Sequence, residues 1–319
     1  MPLGTGRKRI ILVLAVGVAA LTIYGFVIGA VGSVFFGDGK GFLPTPEVHL
    51  PPEPVLSSDA AVVEETGKLP NRFVITNTLL SSWITTIVLV ALFFFATRRM
   101  DPGKAPKGLQ NFMELIISVM YDFVEGVAGK ETTRRFFPLI ATIFLFVLVN
   151  AWLGLLPIYP SLGFLNAEGH ITRHLLRPAG TDLNMPLALA LISFVIVEFN
   201  GVKALRFHYF GKFIRLGSLL RVRSIGSLFN AVIDIFVGML ELLSELVRLV
   251  SLTFRLWGNM TAGEILLLII AFIVPFVISV IFYGLELLVG LIQGLIFASL
   301  TLVFVMTAIA PHESGEEHH

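Results

Sequence analysis

The sequence contains no cysteine among its 319 residues, and only 14% of its residues are charged. Without cysteine, the chain has no disulfide framework, no thiolate metal site and no cysteine nucleophile. Hydrophobic residues make up 55% of the chain, including 28 phenylalanines, and the mean hydropathy is +0.87. Ordinary soluble domains do not reach this balance, so the composition indicates a protein with several membrane spans.

Six apolar segments are long enough to cross a bilayer, since a helix needs about 20 residues to cross ~30 Å of hydrocarbon. They cover roughly residues 10–32, 76–97, 136–158, 184–204, 228–272 and 276–309. Neither an internal repeat nor a low-complexity tract is present. The sequence therefore predicts an all-α integral membrane protein with about five to six membrane helices.

Basic residues between the spans predict the topology, because Lys and Arg concentrate on the cytoplasmic side of a membrane. Residues 7–9 place the start of the first span inside, and the basic clusters within 98–107, 130–135 and 203–223 fit the same alternation. Residues 38–75 are rich in Pro, Glu and Asp and are expected outside, as extended and solvated chain. Both termini would then lie inside.

The first span, residues 10–32, permits two interpretations. A short basic region leads into it, as in a secretory signal, but its apolar core is longer than the ~7–15 residues of a signal's hydrophobic region. No clear small-residue cleavage site follows. The sequence leaves a retained span and a cleaved signal open. We expect residues 1–75 to form an extra span, or a signal, with an external segment, and residues 76–319 to form the membrane domain.

A separate amphipathic helix is predicted over residues 108–128. Its apolar residues recur at helical spacing, with the acidic residues off that stripe. The stripe consists of Phe112, Ile116, Met120, Phe123 and Val127. This pattern is typical of a helix that lies on the inner membrane interface.

The fifth span carries charges that are costly at the centre of a membrane helix, at about 2.5–3.5 kcal/mol each on insertion scales. Steps of three or four residues place six polar side chains on one helix face. These are Glu241, Ser244, Arg248, Ser251, Arg255 and Asn259. A packed interface between helices is one interpretation of the first part of this stripe. There Arg248 can pair with Glu245, three residues before it.

Arg255 has no such neighbour. None of the residues three or four positions away from it is a carboxylate, and Glu264 lies nine residues on. Nine residues are about 900° of rotation and ~13 Å along the axis, so the two side chains face opposite sides of one helix. Because arginine keeps its charge in proteins, Arg255 is poorly suited to relay protons. It can instead hold a fixed positive potential and receive a carboxylate from elsewhere.

The last span adds Glu286 and Gln293, which lie seven residues apart and share a helix face. A glutamate at lipid depth favours its protonated form and can exchange a proton near neutral pH. Glu264 and Glu286 are therefore candidates for a proton relay if the two helices bring them together. The alternative is that both are protonated structural hydrogen-bond donors.

Four separated motifs in these spans carry a family resemblance. They are SLTFRLWGNMTAGE at 251–264, TDLN at 181–184, NAWLGLLP at 150–157 and QGLIF at 293–297. In their order along the chain, these motifs resemble subunit a of the membrane sector of F-type rotary ATP synthases, over about residues 76–310. The resemblance implies that the last two long helices form a steeply tilted hairpin, with its turn near Pro275.

The resemblance also implies roles for individual residues. Arg255 would be the essential arginine that faces a ring of c subunits, with Asn259 beside it. Glu264 and Glu286 would serve the outer half-channel, and Gln293 would face the Arg255 region. Further candidates to line the channel are Ser251, Arg248, Asp182 and Glu241.

Three departures from the family pattern are present. Many bacterial relatives have histidine at the position of Glu286. Asn150 lies one residue further from its proline than in the usual motif, which weakens a channel role for it. The span at 10–32 is absent from many relatives.

The implied function is a stator subunit with two offset half-channels that couple H+ flow to ring rotation and ATP synthesis, or a Na+-translocating version of it. The implied partners are the c-subunit ring, the b subunits of the peripheral stalk, the whole F-type complex and membrane lipids, in a bacterial inner membrane. The resemblance implies a non-catalytic subunit that binds no metal, no cofactor and no nucleic acid.

Unrelated transport or enzyme classes fit the sequence less well. A voltage sensor would repeat arginine at every third position, and an ion channel would carry a filter loop. A secondary transporter would more often show two related halves. An intramembrane enzyme would need a nucleophile or a metal set, whereas all seven histidines fall in loops, interfaces or the tail.

Overall fold

The computed structural model describes residues 5–36, 51–66, 69, 70, 72–98, 100, 106–165, 171–206, 209 and 225–309. Its helices are α1 (Thr5–Ile28), α2 (Ala30–Phe36), α3 (Ser57–Thr66), α4 (Asn77–Thr97), α5 (Leu109–Gly154), α6 (Ile158–Ser161), α7 (Asn184–Leu205), α8 (Ile225–Ile273) and α9 (Val277–Ile309). Two short strands, β1 (Gly163–Leu165) and β2 (Ile171–His174), pair antiparallel, and a 3₁₀ turn covers Ala179–Thr181. The part of the fold within these residues is therefore all-α apart from one small pair of strands.

Six helices in the described part of the chain are long and apolar enough to cross a membrane. They are Arg9–Ile28, Asn77–Thr97, Leu109–Gly154, Asn184–Ala204, Leu228–Ile273 and Val277–Ile309. Large apolar side chains remain exposed along them, especially on α8. A helix satisfies its own backbone hydrogen bonds, so such elements can face lipid. The predicted all-α membrane fold is confirmed.

Helix α5 joins the predicted amphipathic segment and the third predicted span into one element of 46 residues. Its backbone leaves helical geometry at Gly129, where φ is +73°, a conformation that glycine adopts at least cost. Before this break, Phe112 and Phe123 of the predicted stripe are exposed, while Met113 and Val124 are buried. The expected helix is present, but its inward face lies one position along from that stripe. Its place at the inner interface stays a prediction.

Two compact units make up the chain, and helices α5, α8 and α9 contribute to both. The first unit contains Met1–Thr78, Ala151–Thr181 and Gly258–Leu291, and the second contains Leu79–Asn150, Asp182–Trp257 and Ile292–His319. The predicted division of the sequence at residue 75 is a different one, and it stays a prediction.

The last two helices, α8 and α9, are joined by a short turn in the first unit. Helix α8 has 49 residues and α9 has 33, so each exceeds the ~20 residues of an upright span. Pro275 lies between them, as predicted, and Phe276 adopts a positive φ of 72°. Proline has no backbone N–H to donate and cannot continue a helix, which accounts for the break at this position.

The N-terminal helices of the first unit pack against this turn. A side chain at Gly25 would collide with the carbonyl oxygen of Pro275, and one at Gly29 with that of Ile273. The Tyr24 ring stacks on Phe276, with 6.2 Å between ring centroids. The two glycines therefore permit a close backbone approach that larger residues would block.

The external segment differs from its sequence prediction. Its residues 37–50 lie outside the described part, but Ser57–Thr66 form helix α3 instead of extended solvated chain. Asp59 is buried and forms an ion pair with Arg72. The composition predicted exposure because Pro and acidic residues disfavour a core, but a paired buried aspartate keeps its charge satisfied.

The second unit has a compact core of its own. A buried cluster consists of Phe136, Val197, Val305 and Ala308. Close by in sequence, the hydroxyl groups of Ser193 and Thr301 lie 2.9 Å apart and share a hydrogen bond between α7 and α9. These contacts join three helices, so the unit is held by apolar packing with a few satisfied polar pairs.

Candidate functional site

A cavity of about 230 Å³ lies in the first unit and is lined by several polar side chains. It opens between α8, α9, the end of α5 and the segment that follows β2. Its polar lining residues are Glu53, Asn77, Tyr159, His174, Arg177, Glu264, Tyr283 and Glu286. Both glutamates predicted to act together therefore line one cavity.

Glu264 is held in a bidentate ion pair that the sequence analysis missed. The Arg177 guanidinium donates from Nη2 to Glu264 Oε2 at 2.8 Å, and from Nε to both carboxylate oxygens at 3.2 Å. The Arg177 side chain is 9% exposed and that of Glu264 is 25% exposed. Such a fork-to-carboxylate geometry gives the strongest class of side-chain hydrogen bond.

The chain around Arg177 fixes where its guanidinium points. Strand β2 ends three residues earlier, and the 3₁₀ turn begins two residues later, with Thr181 donating to the Pro178 carbonyl at 2.8 Å. A side chain at Gly154 would lie 2.7 Å from Pro178, and one at Gly180 would lie 2.8 Å from Met260. Glycine at both positions lets this segment lie directly on the helices.

The external segment also reaches this arginine. Arg177 Nη1 donates to the Pro51 carbonyl oxygen at 3.4 Å. Asn77 connects the same region, because its Nδ2 donates to the His174 carbonyl at 3.2 Å and its Oδ1 accepts from the Glu53 amide at 3.2 Å. These polar contacts hold residues 51–53, the start of α4 and the end of β2 around the cavity.

Glu286 occupies the same cavity in a different state. It is half-buried, and its carboxyl group lies over Gly263, where a Cβ atom would collide with it. Among the described residues, Glu286 has no hydrogen bond or ion pair, and none joins it to Glu264. The hairpin thus brings the two predicted glutamates into one cavity, but only Glu264 has a fixed cationic partner.

Arg255 lies in the second unit on an exposed part of α8. Its side chain is exposed, and within the described part of the chain no carboxylate forms an ion pair with it. Ser251, one turn before it, is also exposed, as is Asn259 further along the helix. The predicted lack of a local partner for Arg255 agrees with these contacts.

Arg248 is satisfied locally, as one of the two sequence interpretations expected. Its Nη1 donates to Glu245 Oε2 at 2.7 Å, and its guanidinium lies over the Phe304 ring at 4.1 Å from the centroid. Glu245 is buried, whereas Glu241 is half-buried with contacts of its own. This part of the polar stripe forms packing contacts between helices, and its role in lining a channel stays a prediction.

Asp182 has a structural partner at the start of α7. Its Oδ1 accepts hydrogen bonds from the backbone N–H and from Nδ2 of Asn184, both at 3.0 Å. These bonds satisfy a free N–H group in the first turn of the helix. Asp182 is buried and does not line the cavity of the first unit, so its predicted channel role has no support from cavity geometry.

Gln293 and Asn150 are both buried in the second unit. Within the described residues, no hydrogen bond joins Gln293 to Arg255, so the predicted approach of Gln293 to the arginine stays a prediction. The Asn150 amide nitrogen has no hydrogen-bond partner in the part of the chain that the structure describes. A buried amide without a partner is costly, typically about 1–3 kcal/mol, and the structure offers no account of it.

A second polar group of this unit was not predicted from the sequence. Tyr209 is buried, and its hydroxyl donates to Glu198 Oε2 at 2.7 Å. Burial, followed by the neighbouring Glu198 carboxylate, raises the pKa of the Tyr209 hydroxyl. Tyr209 therefore remains a donor at physiological pH.

The sequence signal for Arg177 was weak but present. Glu264 faces away from Arg255 on its own helix, so a buried carboxylate there needed a cation from another segment. Arg177 stands five residues before Asp182, just ahead of the motif at 181–184. Only the folded chain shows that these two side chains meet.

Comparison with known proteins gives one consistent result. The family model described as ATP synthase A chain matches residues 79–306. The chain is 32% identical to ATP synthase subunit a of Gloeobacter violaceus over 242 residues, which is 76% of this chain and 86% of that protein. It is 33% identical to ATP synthase subunit a of Mycobacterium bovis over 249 residues, or 76% of this chain and 90% of that protein. With its six apolar helices, the chain belongs to the ATP synthase A chain family of multi-pass membrane proteins.

Proposed function

We propose that the chain is the non-catalytic stator subunit of an F-type ATP synthase, which couples ion flow across the membrane to rotation of a ring of c subunits. It would assemble with that ring, the b subunits of the peripheral stalk and the rest of the complex, among the lipids of a bacterial inner membrane. Family membership and the six apolar helices support this assignment.

The observation that carries the proposal is Arg255. It is an exposed arginine on a long apolar helix, and no carboxylate of the described residues pairs with it. A permanent charge at membrane depth is costly unless an opposite charge meets it. We infer that this charge is supplied by a carboxylate of the c-subunit ring.

The outer half-channel would pass through the cavity that Glu264 and Glu286 line. A proton from outside would enter this cavity and bind to a ring carboxylate, and the neutral carboxyl group can then enter lipid without the large cost of a bare charge. Another ring carboxylate, arriving from the lipid, would lose its proton to an inner half-channel and be held as an anion near Arg255. Because Arg255 stays charged, protons could not pass straight between the half-channels.

Rotation would follow from this arrangement because the two half-channels are offset. The energy per ion is ~2.3 kcal/mol per 100 mV of membrane potential, so several ions are needed for one ATP. As the family resemblance implies, Asn259 would lie beside Arg255, and Gln293 would face the Arg255 region from the last helix.

We also propose that residues 1–75 are retained as an additional span with an external segment, and that residues 76–319 form the ion-translocating domain. The contacts of Gly25 and Gly29 with the α8–α9 turn support a structural role for the first helix. A cleaved signal would have no reason to fit this surface closely.

The test is ATP-driven proton pumping by the assembled complex in membrane vesicles. Arg255→Ala is expected to abolish pumping while the complex remains assembled, as judged by its subunit composition after purification. Arg134→Ala removes another exposed arginine and serves as the matched control with normal pumping. Normal pumping by assembled Arg255→Ala complexes would refute the proposal.

The choice between H+ and Na+ requires its own measurement, because the ion site lies mainly on the ring. ATP-driven H+ pumping is measured with and without Na+, and uptake of Na+ is measured with and without a protonophore. We expect H+ coupling, in which added Na+ changes nothing and the protonophore collapses the gradient. Na+ uptake that resists the protonophore would favour the Na+-translocating version.

A further inference from the structure

Two glutamates share the cavity of the first unit, and only one of them has a cation. Arg177 binds Glu264 through three donor–acceptor contacts of 2.8 to 3.2 Å. Glu286 lines the same cavity and has no hydrogen-bond or ion-pair partner among the described residues. Two identical side chains in one cavity therefore have different chemical environments.

We propose that Arg177 is a positioning residue that holds the Glu264 carboxylate in a fixed ion pair, so that Glu286 alone exchanges protons with the water of this cavity. The inference rests on the proposed function, because it assigns separate roles within the outer half-channel. Glu264 then serves as the counterion of Arg177. Glu286 takes up a proton from the water of the cavity at a carboxylate oxygen and passes it to the ring carboxylate of the proposed half-channel.

The geometry of the ion pair makes Glu264 the counterion of Arg177. A guanidinium has only donors and cannot deprotonate, and the Glu264 carboxylate accepts two of its N–H groups. The Arg177 side chain is 9% exposed, and a buried cation without a counterion would be costly. Each partner therefore requires the charge of the other.

Burial alone does not separate the two glutamates. The Glu264 side chain is 25% exposed, and Glu286 is half-buried as well, so water in the cavity can reach both. The difference is the presence of the guanidinium at one carboxylate and its absence at the other. We therefore expect proton exchange at Glu286, which has no ion pair among the described residues, and not at Glu264, which is paired with Arg177.

Other charged or titratable groups around the cavity do not replace this arginine. Glu53 and Tyr283 line it and carry no positive charge, and His174 is the other lining residue that can become cationic. The His174 carbonyl accepts a bond from Asn77, and its side chain is exposed. Arg177 is thus the permanent cation of the lining.

Arg177 is itself held from outside the helices. Its Nη1 donates to the Pro51 carbonyl at 3.4 Å, and the segment after it lies against Gly154 of α5 and Met260 of α8. These contacts fix the guanidinium independently of Glu264. The arginine can therefore determine the position and charge of the glutamate.

The experiment labels the assembled complex in its membrane with a hydrophobic carbodiimide, which reacts with protonated carboxyl groups. The labelled peptides of this chain are then identified by mass spectrometry. In the unmodified chain, Glu286 should be labelled about tenfold or more above Glu264, because a cation at hydrogen-bond distance strongly favours the anion. Arg177→Gln should bring the labelling of Glu264 up to that of Glu286.

Two further variants separate charge from folding. Arg177→Lys keeps the positive charge without the planar fork, so Glu264 should remain largely protected. Arg173→Gln removes a neighbouring arginine that stacks on Phe164 and does not line the cavity, and it should leave the labelling ratio unchanged. Equal protection in Arg177→Gln and in the unmodified chain would overturn the inference.

Pumping provides a second readout that a purely structural role would not change in the same way. Arg177→Gln should move the pH profile of pumping to higher pH, and adding Glu264→Gln should remove that shift. If Arg177 only supports the fold, both variants would lower the rate at every pH without a shift, and the inference would be wrong. Labelling does not depend on pumping, so failure of the proposed function, seen in Arg255→Ala, is distinguishable from failure of this inference.

Discussion

Two arginines of the candidate ion path, Arg177 and Arg255, differ in burial and in pairing. Arg177 lies in the first unit, almost fully buried, with its fork on the Glu264 carboxylate. Arg255 lies in the second unit with its side chain exposed and, among the described residues, without a carboxylate partner. Arginine thus forms an ion pair within the chain in the first unit, whereas in the second unit Arg255 has no ion pair with a described residue.

This difference indicates where a partner has to come from. A buried guanidinium requires its counterion within the fold, because the cost of an unpaired buried charge is several kcal/mol. An exposed guanidinium on an apolar membrane helix has the same need, but no carboxylate among the described residues meets it. The open contact at Arg255 therefore predicts an acidic group on another subunit, whereas Arg177 predicts none.

The largest expected effect is at Arg255. Replacement by alanine should reduce ATP-driven pumping to background, and lysine should also fail largely, because its ammonium can deprotonate when desolvated and lacks the planar fork. Proton pumping in vesicles containing the assembled complex measures both. Substantial pumping by the lysine variant would show that charge alone suffices at this position.

A smaller effect is expected at the two glutamates of the cavity. Glu286→Gln should slow pumping more than Glu264→Gln, because the amide cannot exchange a proton, while the loss at Glu264 removes only a fixed charge. Rates measured across pH 5 to 9 with equal amounts of complex compare them. Equal losses in the two variants would remove the distinction between them.

Gly263→Ala tests the position of Glu286 without changing a charge. An added Cβ would collide with the Glu286 carboxyl group, so pumping should fall by about two- to tenfold, corresponding to roughly 0.4–1.4 kcal/mol in the barrier. Gly284→Ala adds a methyl group to α9 where the structure has open space and should have little effect. An unchanged rate in Gly263→Ala would mean that the carboxyl group does not depend on this contact.

The N-terminal helix should affect stability more than transport. Gly29→Val introduces a clash with the Ile273 carbonyl and should lower the thermal stability of the complex, while Gly17→Val, in open space on the same helix, should not. N-terminal sequencing of the purified subunit tests retention directly. A start at Met1 or Pro2 supports a retained span, whereas a start near Ser33 would mean that this helix is a signal.

The smallest effect is expected at the local pair in the second unit. Removing Arg248 or Glu245 alone leaves a partly buried charge without its partner, and should cost more stability than removing both. Pumping by the double glutamine variant should remain close to that of the unmodified chain if the pair serves packing. A complete loss in the double variant, with assembly intact, would instead place the pair in the ion path.

Much of the fold could be predicted from the sequence because hydrophobic length is a local property. The six apolar helices and the local pair of Arg248 with Glu245 follow from spacing within one segment, and the family resemblance implied the turn at Pro275. The absence of a neighbouring carboxylate around Arg255 was likewise readable from helix periodicity. The family resemblance added the expected roles of the site residues.

Other features depend on segments that are distant in the sequence. Composition predicted an extended external segment, but Ser57–Thr66 are helical because tertiary contacts satisfy buried groups such as Asp59. The small hairpin at 163–174 was not predicted, since strands of three and four residues carry too little pattern to be recognised.

The sequence by itself determined that this protein is an all-α membrane protein, where its six apolar spans lie approximately, and that Arg255 lacks a carboxylate on its own helix face. Only the tertiary structure decided that Glu264 pairs with Arg177, 87 residues away, and that Glu286 lies in the same cavity without such a partner. Helix periodicity fixes which side chains share a face of one helix. The environment of a carboxylate depends on which other segments pack against that face, and this is a property of the folded chain.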